Sequence, residues 1–207
     1  MDQNTRDTLT RICLEIQELL GKEEQQEEKV KKFGTLRILG AAVPAPEEPF
    51  HRGDILGYNG KDFEIGDTVA GKELTWLRLG DIWVCDRNIL QGVSWDTLNE
   101  KGFVYGKEVE IDGEKYKLRI LTGSSGSEYG EGCDNEWDQL MDAYKEDNNL
   151  LHYDNMYSWC QEENCDYSSS RSVRGYGSAR YCDNYGATIP NSYFGWRPAL
   201  EKLETDN

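Results

Sequence analysis

The sequence predicts an α+β fold, a domain of twisted antiparallel strands with two short helices, preceded by an N-terminal amphipathic helix. Three observations predict it. Short alternating apolar runs meet in pairs across turn residues, as Leu74 to Leu79 and Ile82 to Cys85 do across Gly80-Asp81. Two other stretches combine a cap residue with one apolar face. Finally, 21 glycines, 12 tyrosines and 6 tryptophans, with 37% hydrophobic residues, suit a turn-rich, aromatic-rich β architecture better than a helical bundle.

The chain of 207 residues has room for one domain of about 150 residues and an appendage. Residues 1–39 form that appendage in this reading. Leu9, Cys13, Ile16 and Leu20 recur at spacings of four and three, and Ile12 and Leu19 widen the stripe, which predicts an amphipathic helix capped by Asn4 or Thr5. Gly21 is placed to weaken or end it, and the Glu, Gln and Lys run at 22–32 is compatible with a solvated extension. The stripe covers about two heptads, so a helix packed on its own domain and a short coiled coil making a homo-oligomer both fit.

Pro44, Pro46 and Pro49 mark residues 40–53 as a linker, and the domain follows over 54–207. Within it, Val109 and Ile111 alternate with charges up to Asp112-Gly113, and Tyr116, Leu118 and Ile120 resume the alternation, which predicts a second hairpin. Ser94 caps a short helix through Leu98, and Asn135 to Tyr144 carries Trp137, Leu140, Met141 and Tyr144 on one face. The polar stretch from 145 to 195 holds too many aromatic residues for disorder.

With 39 acidic and 23 basic side chains the net charge is −16, which repels a phosphate backbone and argues against a nucleic-acid partner. Such acidity serves solubility, or else imitates nucleic acid in a basic cleft. No run approaches the roughly 20 apolar residues of a membrane span, and the first residues lack the apolar core of a signal peptide, so no membrane partner is expected. Without that signal, Cys13, Cys85, Cys133, Cys160, Cys165 and Cys182 read as free thiols.

Several motifs occur in one order: Asp86-Arg87-Asn88, Ser94-Trp95, Ile111-Asp112-Gly113, Leu118 to Gly123 and Asn135-Glu136-Trp137-Asp138. Trp159-Cys160-Gln161-Glu162, Arg174-Gly175-Tyr176 and Gly195-Trp196-Arg197-Pro198-Ala199-Leu200-Glu201 close the series. Over about residues 74–201 this pattern resembles the phage and prophage branch of C-type-lectin-like domains, a group related to formylglycine-generating enzymes of the sulfatase-modifying-factor type and to the variable proteins of diversity-generating retroelements. Read physically, Arg174 and Arg197 belong on closely paired strands and each needs a partner if buried, while Gly175 and Gly195 permit close backbone approach.

The resemblance implies that the loop from 176 to 194 presents a ligand surface. That loop holds Tyr176, Ser178, Arg180, Tyr181, Asp183, Asn184, Tyr185, Asn191, Ser192 and Tyr193, a composition similar to an antibody paratope, though it also fits a solvated, packed loop. The expected partner is a host protein or glycan, with the chain acting on a virion or in the host cytoplasm. The alternative is a phage factor that blocks a host defence protein with its acidic surface.

Catalytic chemistry is not expected. His51 and His152 have no supporting triad motif, Gly123 to Ser127 is not a nucleophile elbow, and Gly175-Tyr176-Gly177 lacks the third glycine of a dinucleotide site. Glu136 and Asp138 read as surface charges, and Cys160, Cys165 and Cys182 do not fall where formylglycine-generating enzymes carry their thiol pair. No Cys-x2-Cys element supports zinc, and Asp134, Asn135, Glu136 and Asp138 alone cannot supply the six to eight oxygens calcium wants. No cofactor or metal is therefore assigned.

Overall fold

The computed structural model describes residues 29–45, 55–123, 135–164 and 167–203. The chain divides into two units, Met1–Val30 and Lys31–Asn207. The oligomerisation stripe of Leu9, Ile12, Cys13, Ile16, Leu19 and Leu20 lies outside the described residues.

The strands in chain order are β1 (Val30–Phe33), β2 (Thr35–Ile38), β3 (Ala41–Ala42), β4 (Phe63–Gly66), β5 (Leu74–Leu79), β6 (Ile82–Cys85) and β7 (Leu90–Gln91). They continue as β8 (Lys107–Ile111), β9 (Glu114–Arg119), β10 (Tyr157–Glu163), β11 (Ser170–Gly175), β12 (Cys182–Gly186), β13 (Phe194–Trp196) and β14 (Ala199–Lys202). Three helices are described: α1 (Trp95–Glu100), α2 (Glu136–Ala143) and α3 (Asn148–Leu151). The protein is α+β and rich in sheet, with a six-stranded sheet in the order β1-β5-β6-β14-β9-β8, a five-stranded sheet β12-β11-β10-β13-β7, and a small sheet β3-β2-β4.

Both expected hairpins form. Leu79 pairs with Ile82 across Gly80-Asp81, and Ile111 pairs with Glu114 across Asp112 and Gly113, whose φ angles of 54° and 78° are those of the turn that matches strand twist. Strands β10 and β13 run parallel through Tyr157↔Phe194 and Ser158↔Gly195, whereas β10–β11, β11–β12, β5–β6 and β8–β9 are antiparallel. The caps also form: the Ser94 hydroxyl accepts the Thr97 N–H at 3.1 Å and Asn135 Oδ1 accepts the Asp138 N–H at 2.9 Å.

The boundary between appendage and domain differs from the expectation. Instead of helix or linker, Thr35–Ile38 pairs with β4 and with Ala41–Ala42, so segments assigned to 1–39 and 40–53 contribute strands to the domain. The lysine-rich run before Phe33 hides this, because β1 buries only Phe33.

Trp76, Trp95, Trp137, Trp159 and Trp196 are buried and Trp83 is partly buried. Four of them fasten distant segments by donating an indole N–H to a carbonyl: Trp76 to Phe33, Trp95 to Cys160, Trp137 to Ala179 and Trp159 to Val93, at 2.7–3.0 Å. Burying one such ring removes about 200 Å² from water, worth at most roughly 5 kcal/mol.

Period-two alternation gives the five-stranded sheet two unlike faces. Tyr157, Trp159, Val173, Phe194 and Trp196 enter the larger apolar core. Ser158 pairs in register with both Arg174 and Gly195, so the opposite face is polar. Arg174 and Arg197 are each 1% exposed. They do not sit on strands paired with each other: Arg174 is on β11, Arg197 follows the end of β13, and β10 lies between those two strands.

Candidate functional site

The segment expected to be a ligand-presenting loop is partly strand. Cys182–Gly186 pairs with β11 as the outer strand of the five-stranded sheet. The chain turns into it at Gly175 and Tyr176, with φ of 93° and 80°. A Cβ on Gly175 would lie 3.1 Å from the carbonyl oxygens of Met156 and Tyr153, which explains a glycine there. The strained Tyr176 backbone is held at both polar atoms, its N–H donating to Tyr153 O and its carbonyl accepting from Asn155 N–H, each at 2.8 Å.

A second anchor lies at α2. Ala179 is buried beneath Trp137, whose indole N–H donates to its carbonyl at 2.7 Å. Arg180 reaches Glu146 at 2.8 Å, Asp142 at 2.5 Å and Asp138 at 3.5 Å. Hydrogen bonds to Glu146 and Asp142 raise its already high pKa further. Arg180 therefore serves as a strut between this segment and α2, rather than as a free cation for a ligand.

The four expected tyrosines form one cluster, and three of them pack on a residue the sequence reading did not single out. Tyr157, 7% exposed, stacks on Tyr176 at 4.7 Å between centroids and lies 6.1 Å from Tyr181 and 5.5 Å from Tyr185. Tyr193 meets Tyr176 edge to face at 5.5 Å, and Phe194 closes the base 4.8 Å from both Tyr185 and Trp159. Such tilted and offset pairs are the arrangements aromatic quadrupoles favour, each worth about 0.5–1.5 kcal/mol beyond area burial. The signal in the sequence was the alternation of Tyr157 with Trp159 beside a third aromatic at Phe194.

The hydroxyls form a chain. Burial raises the Tyr157 pKa above the usual phenol range, helped by its hydrogen bond to Tyr185. Tyr185 is raised by burial too; accepting from Tyr157 works against this, and donating to Asp183 adds to it. The Tyr181 hydroxyl also donates to Asp183 at 3.4 Å. The result is a set of phenol hydroxyls gathered at the Asp183 side chain. Tyr181 and Tyr193 remain 44% and 37% exposed, so their rings form the outer surface.

The other expected residues divide. Ser178 is exposed beside the turn. Asn191 Oδ1 accepts the Tyr193 N–H at 3.0 Å and fixes the approach to β13. The Asn184 N–H donates to Asp183 Oδ1 at 2.7 Å, covering part of the outer strand's backbone.

Glu136 and Asp138 are not the surface charges the sequence suggested. Glu136 accepts both Arg119 Nη1 and Nη2, at 2.7 and 2.6 Å, and Asp138 pairs with the buried Arg174. Both carboxylates are thereby committed to arginines. The thiols of Cys85 and Cys160 are pushed upward, first by burial and then by Asp86 and Glu162 respectively, which disfavours the thiolate. His152 Nε2 lies 2.7 Å from Arg87 Nη2 inside the fold. An open groove of about 460 Å³ lined by Arg37, Glu64, Asp67, Lys107, Glu108 and Glu110 includes no tyrosine of the cluster. Its mixed charges select no ligand class.

Among the described residues no group of His, Cys, Asp and Glu is arranged to hold a metal ion, and no helix is long and apolar enough to cross a membrane. Comparisons of the chain with protein-family models, with curated proteins and with solved structures found no match.

Proposed function

We propose that the chain is a non-enzymatic ligand-binding protein of phage or prophage origin, built on a C-type-lectin-like domain, which contacts a host protein or glycan through the surface around Tyr181 and Tyr193. The observation that carries this reading is the convergence of Tyr176, Tyr181 and Tyr185 on Tyr157, with Tyr193 joined through Tyr176 and two rings facing outward. Rings already packed and hydrogen-bonded lose little entropy on binding, which is how tyrosine-rich paratopes gain affinity. The lectin-like assignment draws support from the buried Arg174 and Arg197 flanking β10, with Gly175 and Gly195 at close backbone approaches.

The test is binding of labelled protein to arrays of bacterial surface glycans and to isolated host surface proteins. Wild type is compared with Tyr181→Ala and Tyr193→Ala, and each is assayed with and without chelator. The expected outcome is saturable binding that falls about thirtyfold per hot-spot tyrosine and ignores chelation. Binding that survives both substitutions, or that needs a metal, rejects the surface. Binding to an intracellular host protein and to no surface component would favour the inhibitor reading.

A further inference from the structure

We infer that the polar layer between the five-stranded sheet and α2 binds a small monovalent anion of the chloride class at the guanidinium of Arg197. The layer is built by register. Ser158, Arg174 and Gly195 share one face of the sheet. The Asn88 side chain fills the space above Gly195, where a Cβ would come 2.5 Å from Asn88 Cγ. Arg197 follows two residues after Gly195 and is capped by the Trp137 ring at 5.1 Å. Its Nη2 donates to the carbonyls of Leu151 and His152 at 2.6 and 3.2 Å.

Three properties of this layer point to an anion rather than to water alone. The first is an excess of donors. Arg197 Nε and Nη1, Arg174 Nε, Asn88 Nδ2 and Oδ1, and Ser158 Oγ are buried without partners. Four of these six atoms are nitrogens that only donate, the hydroxyl does either, and one oxygen only accepts. Water adds donors as well as acceptors, whereas a halide only accepts.

The second is charge. Arg197 makes no ion pair among the described residues, where Asp86 and Asp138 are already engaged. Asp86 holds Arg87 through contacts of 3.0 and 2.7 Å, and Asp138 is shared by Arg174 and Arg180. Neither of these two carboxylates pairs with Arg197, whose buried guanidinium has no anionic partner among the described residues. An uncompensated cation in the interior is costly, and one negative charge balances it. Burial pulls Arg197 down to about 10, so it is still charged at neutral pH and an anion beside it would hold that charge more firmly.

The third is enclosure. Arg174, Arg197, Asn88 and Ser158 are all at most 2% exposed, which selects a monatomic ion over phosphate or a carboxylate ligand. An ion held there binds the folded state only, and therefore couples to stability by mass action.

The experiment uses the full chain. Thermal midpoints are measured in sodium chloride and in sodium gluconate at equal ionic strength, and crystals grown in sodium bromide are examined for anomalous scattering. The expected result is a midpoint higher by roughly 5 °C at saturating chloride. A bromide peak should lie within hydrogen-bond reach of Arg197, and the chloride dependence should be lost in Asn88→Ala and Ser158→Ala. Equal midpoints in the two salts overturn the inference, as does a chloride effect that both variants retain. If neither variant folds, the bromide map of the wild-type protein decides, and bromide found only on the outer surface counts against the site.

Discussion

Replacing Glu136 by glutamine removes the charge from one of the least exposed ion pairs in the domain. The Arg119 and Glu136 side chains are 10% and 23% exposed, their contact at 2.6 Å is part of a two-pronged pair, and the Thr122 N–H donates to the same carboxylate at 3.0 Å. Breaking a buried pair costs about 3–5 kcal/mol, because the partner is left charged and desolvated. Arg119 also has Glu201 at 3.4 Å, and glutamine keeps an oxygen for Thr122, so the expected loss is about 2 kcal/mol, or roughly 4–8 °C in midpoint. The pH dependence adds a second reading. Burial acts to raise the Glu136 pKa, but the Arg119 and Thr122 hydrogen bonds outweigh it and bring the pKa below its usual 4.5. A depressed carboxylate contributes stability above its unfolded pKa and loses it as pH falls through the folded value. The gap between wild type and Glu136→Gln, followed by urea unfolding with tryptophan fluorescence, should therefore be full at pH 7 and close toward pH 3. A gap under about 0.5 kcal/mol at pH 7 would show that Glu201 and water replace the pair, and a gap unchanged down to pH 3 would show that charge is not its origin.

Gly195→Ala should cost about 1–3 kcal/mol by overpacking against Asn88, with partial recovery in the double variant Gly195→Ala/Asn88→Ala; equal stability of wild type and single variant would mean that the two strands separate easily there. Tyr157→Ala should cost about 3–5 kcal/mol while Tyr181→Ala and Tyr193→Ala stay within about 1 kcal/mol of wild type in the same denaturation assay. Losses of similar size at all three would make the outer rings part of the core. Alkylation of the native protein followed by peptide mapping should label the half-buried Cys182 well before the buried Cys85 and Cys160, and early labelling of Cys160 would mean that the β10 to β11 region opens.

What was legible in the sequence was local. The turns at Gly80-Asp81 and Asp112-Gly113 and the Ser94 and Asn135 caps depend on residues within a few positions of each other. The early strands were not legible, because Leu39 and Gly40 make the β2 to β3 turn with φ of 51° and 75° and leucine is not a residue that signals such a turn. The commitments of Glu136 and Asp138 were hidden for a different reason. Their arginine partners lie 17 and 36 residues away, and nothing in the local pattern separates a carboxylate on a solvated helix face from one that caps a buried guanidinium. At the candidate site the tyrosines were visible as composition, but their common base at Tyr157 depends on β10 pairing with both β11 and β13.

That base changes what the tyrosine composition means. A loop of tyrosine, serine and asparagine free in solvent would have to order several side chains on binding, at about 0.5–1.5 kcal/mol each. Here Tyr176 is stacked on Tyr157 and held at its backbone N–H and carbonyl, and Tyr185 is joined to Tyr157 and Asp183. Only Tyr181 and Tyr193 retain much exposed surface, and even they touch the cluster at 6.1 and 5.5 Å. The four tyrosines therefore divide into two supports and two outward rings, and under the proposed function substitutions at the supports should act on folding and binding together, while substitutions at the rings should act on binding alone. Arg180, tied to three carboxylates, supplies stiffness to the same surface without giving it a free positive charge. A surface of this kind discriminates by shape and by hydroxyl and aromatic contact, so its affinity should change little between 50 mM and 500 mM salt, unlike the steep dependence of a site built on unpaired charges.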